Sequence, residues 1–351
     1  MLEKATSLLP TVPVVNTSYT AKLIPGQKAA GILDPHAKTE ITPKEADQPA
    51  DPSGIPNVQA ARAAMGWPTA HYTVRHPLTI ENTQLHGVGV RTYVQKELAA
   101  DTLPAILFIH GGGFFGGSLD NVEQPCRLLA DEGRVRVISV DYGLAPEHPY
   151  PQDVIDSYNV LTALHHQAAA LHIDAHRITI MGDSAGGNLT YVVSLLDRQL
   201  GTNYIASAVA LYPVTYQGHR PVLRQQFDDP AHWQPAQDQD LITNYIRGFA
   251  QSSPLIDQWY VGGADPESWY ISPLNAPSEL LAKLPRTLFM VGEFDPLRFQ
   301  GEAFYNKVKA AGGDIRYIRY NGMVHAFMDK VGDYVQAEDS LREALRFITE
   351  E

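Results

Sequence analysis

Apolar and polar positions change rhythm several times along this 351-residue chain. Residues 1–70 carry no sustained period and are punctuated by proline (Pro10, Pro13, Pro25, Pro35, Pro43, Pro49, Pro52, Pro56), with room for a short helix over 58–65. Residues 72–76 and 85–93 alternate apolar and polar side chains, which predicts an antiparallel edge pair of strands. Residues 104–109 are continuously apolar, as a strand covered on both faces requires. A helical pattern over 122–132, a strand over 135–140 and a helix over 154–170 follow, then the β-branched run 178–180. Leu189, Val192, Val193 and Leu196 mark the next helix, and 205–212 the next strand. The alternation breaks over 214–275 and resumes with a strand at 287–291, a helix at 299–311, a strand at 315–320 and an amphipathic helix at 334–348. Strands alternating with helices predict an α/β fold, a mostly parallel central sheet with helices on both faces. The break at 214–275 is too long for a structureless loop, so it should hold helices of its own.

Composition narrows the picture. A 44% hydrophobic and 19% charged chain describes an ordinary globular protein, and 351 residues suffice for one large α/β domain plus an accessory layer. The formal net charge of −12, without a long basic run, argues against a nucleic-acid partner. No apolar stretch is long enough to span a membrane, and residues 1–10 lack the pattern of a signal peptide. The single cysteine, Cys126, excludes an internal disulfide and fits a reducing compartment, so a cytoplasmic location is expected. Cys126 itself reads as a small buried apolar residue.

The candidate chemistry sits where strands end. Gly182-Asp-Ser184-Ala-Gly186 fits G-x-S-x-G, directly after the 178–180 strand and before a helix. The pattern resembles the nucleophile elbow of α/β-hydrolases, which puts a serine on a strained turn flanked by residues small enough for close approach. A serine hydroxyl is a weak nucleophile at neutral pH and needs a base, and the base needs a carboxylate to orient it. On such a fold the chain order is Ser, acid, His. Asp295 follows the 287–291 strand and His325 the 315–320 strand, so Ser184, Asp295 and His325 stand in that order on one rim, with Glu293 the less favoured acid. His110-Gly-Gly-Gly-Phe114 follows the 104–109 strand, and the amides of Gly112, Gly113 and Ala185 are candidate oxyanion donors. His172 and His176 stand four apart but flank what reads as a loop, so no metal site is assigned; no cofactor is expected.

These motifs together resemble the hormone-sensitive-lipase-like carboxylesterases of the α/β-hydrolase superfamily, from about residue 100 to the C-terminus. The carriers are His110-Gly-Gly-Gly-Phe114, Asp141-Tyr-Gly-Leu-Ala-Pro-Glu-His-Pro149, Gly182-Asp-Ser-Ala-Gly-Gly187, Asp295-Pro-Leu297 and Gly322-Met-Val-His-Ala-Phe327. The resemblance implies a serine esterase for small esters of short to medium acyl chains, with Ser184 as nucleophile, His325 as base and Asp295 as orienting acid. It implies an N-terminal cap segment over 1–70, a core over 71–213 and 276–351, and a cap insertion over 214–275. Without it, residues 1–70 read equally as an unstructured extension or as a cover with Ile55, Met65 and Trp67 as contacts. Two positions depart from the family: Gly143 where Arg is usual, and Ala326 where Gly is usual. His110, Glu147 and His148 read as structural. An amidase or lactonase with the same triad, or a non-hydrolytic ligand receptor on this fold, are the other readings, and a homodimer is left open.

Overall fold

The computed structural model describes residues 11–13 (backbone only), 19–27, 30–43, 57–251 and 253–350. Among them ten strands make one sheet: β1 (Thr11–Pro13), β2 (Thr20–Lys22), β3 (Leu78–Leu85), β4 (Val88–Gln95), β5 (Leu103–Ile109), β6 (Arg136–Asp141), β7 (Ile173–Asp183), β8 (Ile205–Leu211), β9 (Arg286–Gly292) and β10 (Ile315–Tyr320). Their order is β1-β2-β10-β9-β8-β7-β5-β6-β4-β3. All neighbours from β2 to β6 are parallel, while β1 at one edge and β4 and β3 at the other pair antiparallel.

The helices are α1 (Pro35–Ile41), α2 (Val58–Ala64), α3 (Glu123–Glu132), α4 (Gln152–His166), α5 (Ser184–Leu200), α6 (Pro221–Asp228), α7 (Gln239–Ala250), α8 (Ser253–Ile256), α9 (Ser278–Leu281), α10 (Arg298–Ala311) and α11 (Val335–Thr349). Strand β5 shows why the sheet needs cover on both faces. Its Ile106 and Phe108 pack in a cluster with Leu128 of α3 and Leu341 of α11. Its Leu107 and Ile109 join Leu161 of α4 and Val192 of α5 on the other side. A period of two along the strand thus supplies two cores at once.

The structure corrects the sequence reading in three places. The alternation over 85–93 conceals a hairpin: β3 and β4 meet at a two-residue turn, His86 (φ 47°) and Gly87 (φ 84°). An alternating pattern carries no mark of where the chain reverses, and a histidine in the left-handed region hid this turn. Residues 72–76 are not a strand. Their polar groups go instead to the buried Asp131 carboxylate, which accepts from the Tyr72 hydroxyl (2.8 Å) and the amides of Arg75 (2.9 Å) and His76 (2.7 Å). Residues 173–175, read as a loop, begin β7, with a register irregularity against β5. His172 precedes that strand and His176 lies on it, so the two share no helix face.

The described residues of 1–70 include elements in two places. Strand β2 extends the sheet beside β10, and its Lys22 is fully buried against Asp339 (3.1 Å) and Glu343 (2.5 Å) of α11. Helix α2, in contrast, carries no buried residue. Ile55 lies outside the described residues.

Candidate active site

The chain leaves β7 through Ser184, which takes a left-handed backbone (φ 53°) as the first residue of α5. A side-chain-bearing residue adopts this conformation only where the surroundings hold it. Here the hold is contact. A Cβ on Gly186 would run into the Ile109 carbonyl, and one on Gly182 would meet that oxygen at 2.7 Å. The elbow is therefore clamped against the end of β5, and Ser184 Oγ is carried above the sheet.

His325 follows β10 and Asp295 follows β9, so both stand with Ser184 at the carboxyl ends of parallel strands. His325 Nε2 lies 2.9 Å from Ser184 Oγ, and Nδ1 lies 2.9 and 3.1 Å from the two Asp295 oxygens. Asp295 is fully buried, and its Oδ1 also accepts the Leu297 amide at 2.7 Å, which fixes the carboxylate plane. Glu293 is elsewhere: its carboxylate accepts the amides of Gly31 (3.0 Å) and Gly322 (2.9 Å).

The loop after β5 turns back on itself. The amides of Phe115 (3.2 Å) and Gly116 (2.8 Å) donate to the Gly112 carbonyl, and Gly112 itself sits at φ 122°, where a side chain would clash with the Gly116 carbonyl. Gly112 and Gly113 line the same cavity as Ser184. Ala185 follows Ser184 in the first turn of α5, whose amides have no partner within the helix. His110 points away from the cavity chemistry. Its ring is buried, burial pushes its pKa down to about 4, and Nδ1 lies 2.7 Å from the Gly111 carbonyl. A neutral, buried imidazole shapes the loop.

The cavity has a volume of about 570 Å³. Met65 and Trp67 reach it from the end of α2, Ile246 and Phe249 from α7, and Leu255 from α8. Two roof residues touch the histidine itself. The His325 amide donates to the Tyr245 hydroxyl (3.1 Å), and the Phe249 ring stands edge-on to the imidazole at 5.0 Å. Nothing in the sequence around Tyr245 or Phe249 distinguishes a core aromatic from one aimed at a distant loop. Asp329 also escaped notice; it lines the cavity, and burial pushes its carboxyl up to about 7.

The two departures from the family pattern have local settings. The Gly143 amide donates to Asp156 (2.9 Å), which also accepts from Gln152 (2.8 Å), so that carboxylate is engaged without an arginine at 143. Ala326 adopts φ 58°, a region glycine enters more cheaply.

A family model described as the alpha/beta hydrolase fold matches residues 106–329. Carboxylesterase NlhH of Mycobacterium tuberculosis is 32% identical over 254 residues, spanning 72% of this chain and 74% of its own length. An arylesterase of Saccharolobus solfataricus is 31% identical over 226 residues, 64% of this chain and 68% of its own. Among solved structures, the thermostable carboxylesterase EstE1 from a metagenomic library aligns at 31% identity and TM-score 0.65, covering 84% of this chain and 94% of its own. The hyperthermophilic esterase of Pyrobaculum calidifontis aligns at 26% identity and TM-score 0.73, covering 90% and 98%.

Proposed function

The chain belongs to the α/β-hydrolase fold family, in its hormone-sensitive-lipase-like carboxylesterase branch, and on that premise we propose that it cleaves carboxylic esters through an acyl-enzyme on Ser184. The observation that best supports this reading is the continuous chain of contacts from Ser184 Oγ through the His325 ring to Asp295, each 2.9 Å. Ser184 attacks the ester carbonyl while His325 Nε2 takes the hydroxyl proton. Asp295 holds Nδ1–H and stabilises the imidazolium that results. The oxyanion rests on the amides of Gly112, Gly113 and Ala185; removing one such donor costs roughly 3–4 kcal/mol in well-studied cases. His325 then protonates the leaving alcohol, and water repeats the sequence on the acyl-enzyme. These steps call on no cofactor.

Short to medium acyl chains are the proposed substrates, supported by a cavity of about 570 Å³ with an apolar wall from Met65, Phe249 and Leu255. Residues 57–70 and 214–275 act in this reading as a two-part cap. A cytoplasmic location belongs to the same proposal and draws on the single, buried cysteine.

The test is hydrolysis of p-nitrophenyl esters from acetyl to dodecanoyl by wild type and Ser184→Ala. Turnover should peak at a short or medium chain and fall by at least about 10⁴-fold in the variant, with binding of a product alcohol retained. Activity surviving in purified Ser184→Ala would sink the assignment, and a wild type that binds small ligands tightly without turnover would favour the receptor reading.

A further inference from the structure

We propose that Arg62, on the outlying helix α2, is a positioning residue for the oxyanion loop; this rests on the reading of Gly112 and Gly113 as oxyanion donors. Its guanidinium joins three segments distant in sequence. Nε donates to the Phe115 carbonyl, Nη2 donates to the Ala145 carbonyl (3.0 Å), and Nη1 and Nη2 pair with the two Glu147 oxygens (3.0 and 2.6 Å). The 110–117 loop and the 141–149 turn are themselves joined where the Ala145 amide donates to the Phe114 carbonyl at 3.0 Å.

The route from Arg62 to the oxyanion donors is short and covalently stiff. Arg62 holds the Phe115 carbonyl, and the amide of Phe115 donates to the Gly112 carbonyl. The Gly112 carbonyl and the Gly113 N–H belong to one planar trans peptide and point in opposite directions. Fixing the carbonyl from below therefore aims the Gly113 N–H at the cavity. Aromatic packing grips Phe115 and its neighbour Phe114. Phe114, at φ 67°, stacks on Tyr260 with ring centroids 3.9 Å apart, and Phe115 meets Trp259 edge-on at 5.0 Å. Those contacts restrain the rings; Arg62 restrains the backbone.

The chemistry of the fork matters more than its charge. Glu147 is about half exposed, and an ion pair there contributes little by itself. A planar guanidinium can reach two carbonyls and a carboxylate at once, whereas an ammonium on a flexible stem cannot hold that geometry. Arg62→Lys should keep the pairing with Glu147 and lose the alignment of the loop. Glu147→Gln should keep the carbonyl contacts and most of the activity.

The experiment compares wild type, Arg62→Gln, Arg62→Lys and Glu147→Gln on p-nitrophenyl butyrate. Each is also tested with a trifluoromethyl ketone, which forms the tetrahedral oxyanion, and with the matching secondary alcohol, which does not. Both Arg62 variants should lose about tenfold in kcat with KM within about twofold, the scale expected when reacting groups are slightly misplaced. The ketone should weaken in the same proportion while the alcohol binds as before, and Glu147→Gln should stay near wild type. A rise in KM alone, equal weakening of both inhibitors, or full rescue by lysine would overturn the proposal, making α2 a wall of the cavity and nothing more. A trifluoromethyl ketone that fails on wild type would instead count against the oxyanion reading itself.

Discussion

The floor and the roof of the cavity are built on different principles. In the floor, Ser184, Asp295 and the elbow glycines sit on strand ends and are buried, and backbone meets backbone with no space for one extra carbon. The roof is made of short helices from 57–70 and 214–275 whose side chains are mostly half-buried or exposed; α2 buries nothing fully, and Val222 of α6 is 76% exposed. Chemistry needs atoms held within a few tenths of an ångström, so it resides where packing is densest. Choice among substrates needs only a wall of the right shape, and a modest change of wall shifts it by modest factors.

This contrast makes graded predictions. Gly186→Ala forces a carbon into the Ile109 carbonyl and should destabilise the fold by about 3 kcal/mol or more, with activity lost in parallel. Denaturant unfolding measures it, and a variant as stable as wild type would show that the floor yields. Phe249→Ala opens the roof beside His325 and should raise kcat/KM for decanoyl relative to acetyl esters about tenfold, with little change in the unfolding midpoint. Loss of activity on every chain length alike would instead make Phe249 part of the floor's machinery.

The smallest effect lies at the seam. Asp153 of α4 is buried near Tyr260, and burial pushes its carboxyl up to about 7. Between the usual carboxylate value near 4 and that value, the folded protein keeps a proton that the unfolded chain releases. The contribution of Asp153 is therefore full at acid pH and is lost as pH rises toward 7. Asp153→Asn keeps a neutral side chain at every pH. Its melting temperature should gain on wild type by about 2–4 °C as pH rises from 4.5 to 7.5. A gap that does not change with pH would place the protonation elsewhere.

Much of the floor is legible in the amino-acid sequence. Gly182 and Gly186 around Ser184 and the glycines after β5 are local signals tied to backbone constraints that few residues satisfy, and Asp295 and His325 are marked by following their strands. The edge hairpin was misread because His86 is an unusual residue for a left-handed turn, and residues 72–76 because their partner, Asp131, lies more than fifty positions away. Tyr245, Asp329 and Arg62 had no local mark, since what distinguishes them is where their tips arrive.

From the amino-acid order alone came the alternating α/β plan, the serine elbow, and the identity and chain order of the residues now facing one another. These follow from periodicity and turn chemistry, which act over a few neighbouring residues. Only the tertiary structure decided that β2 joins the sheet through the buried Lys22 while α2 reaches the cavity, and that Arg62 grips Phe115. Contacts of that kind depend on where separate elements come to rest, and the packing of the whole sheet sets those positions.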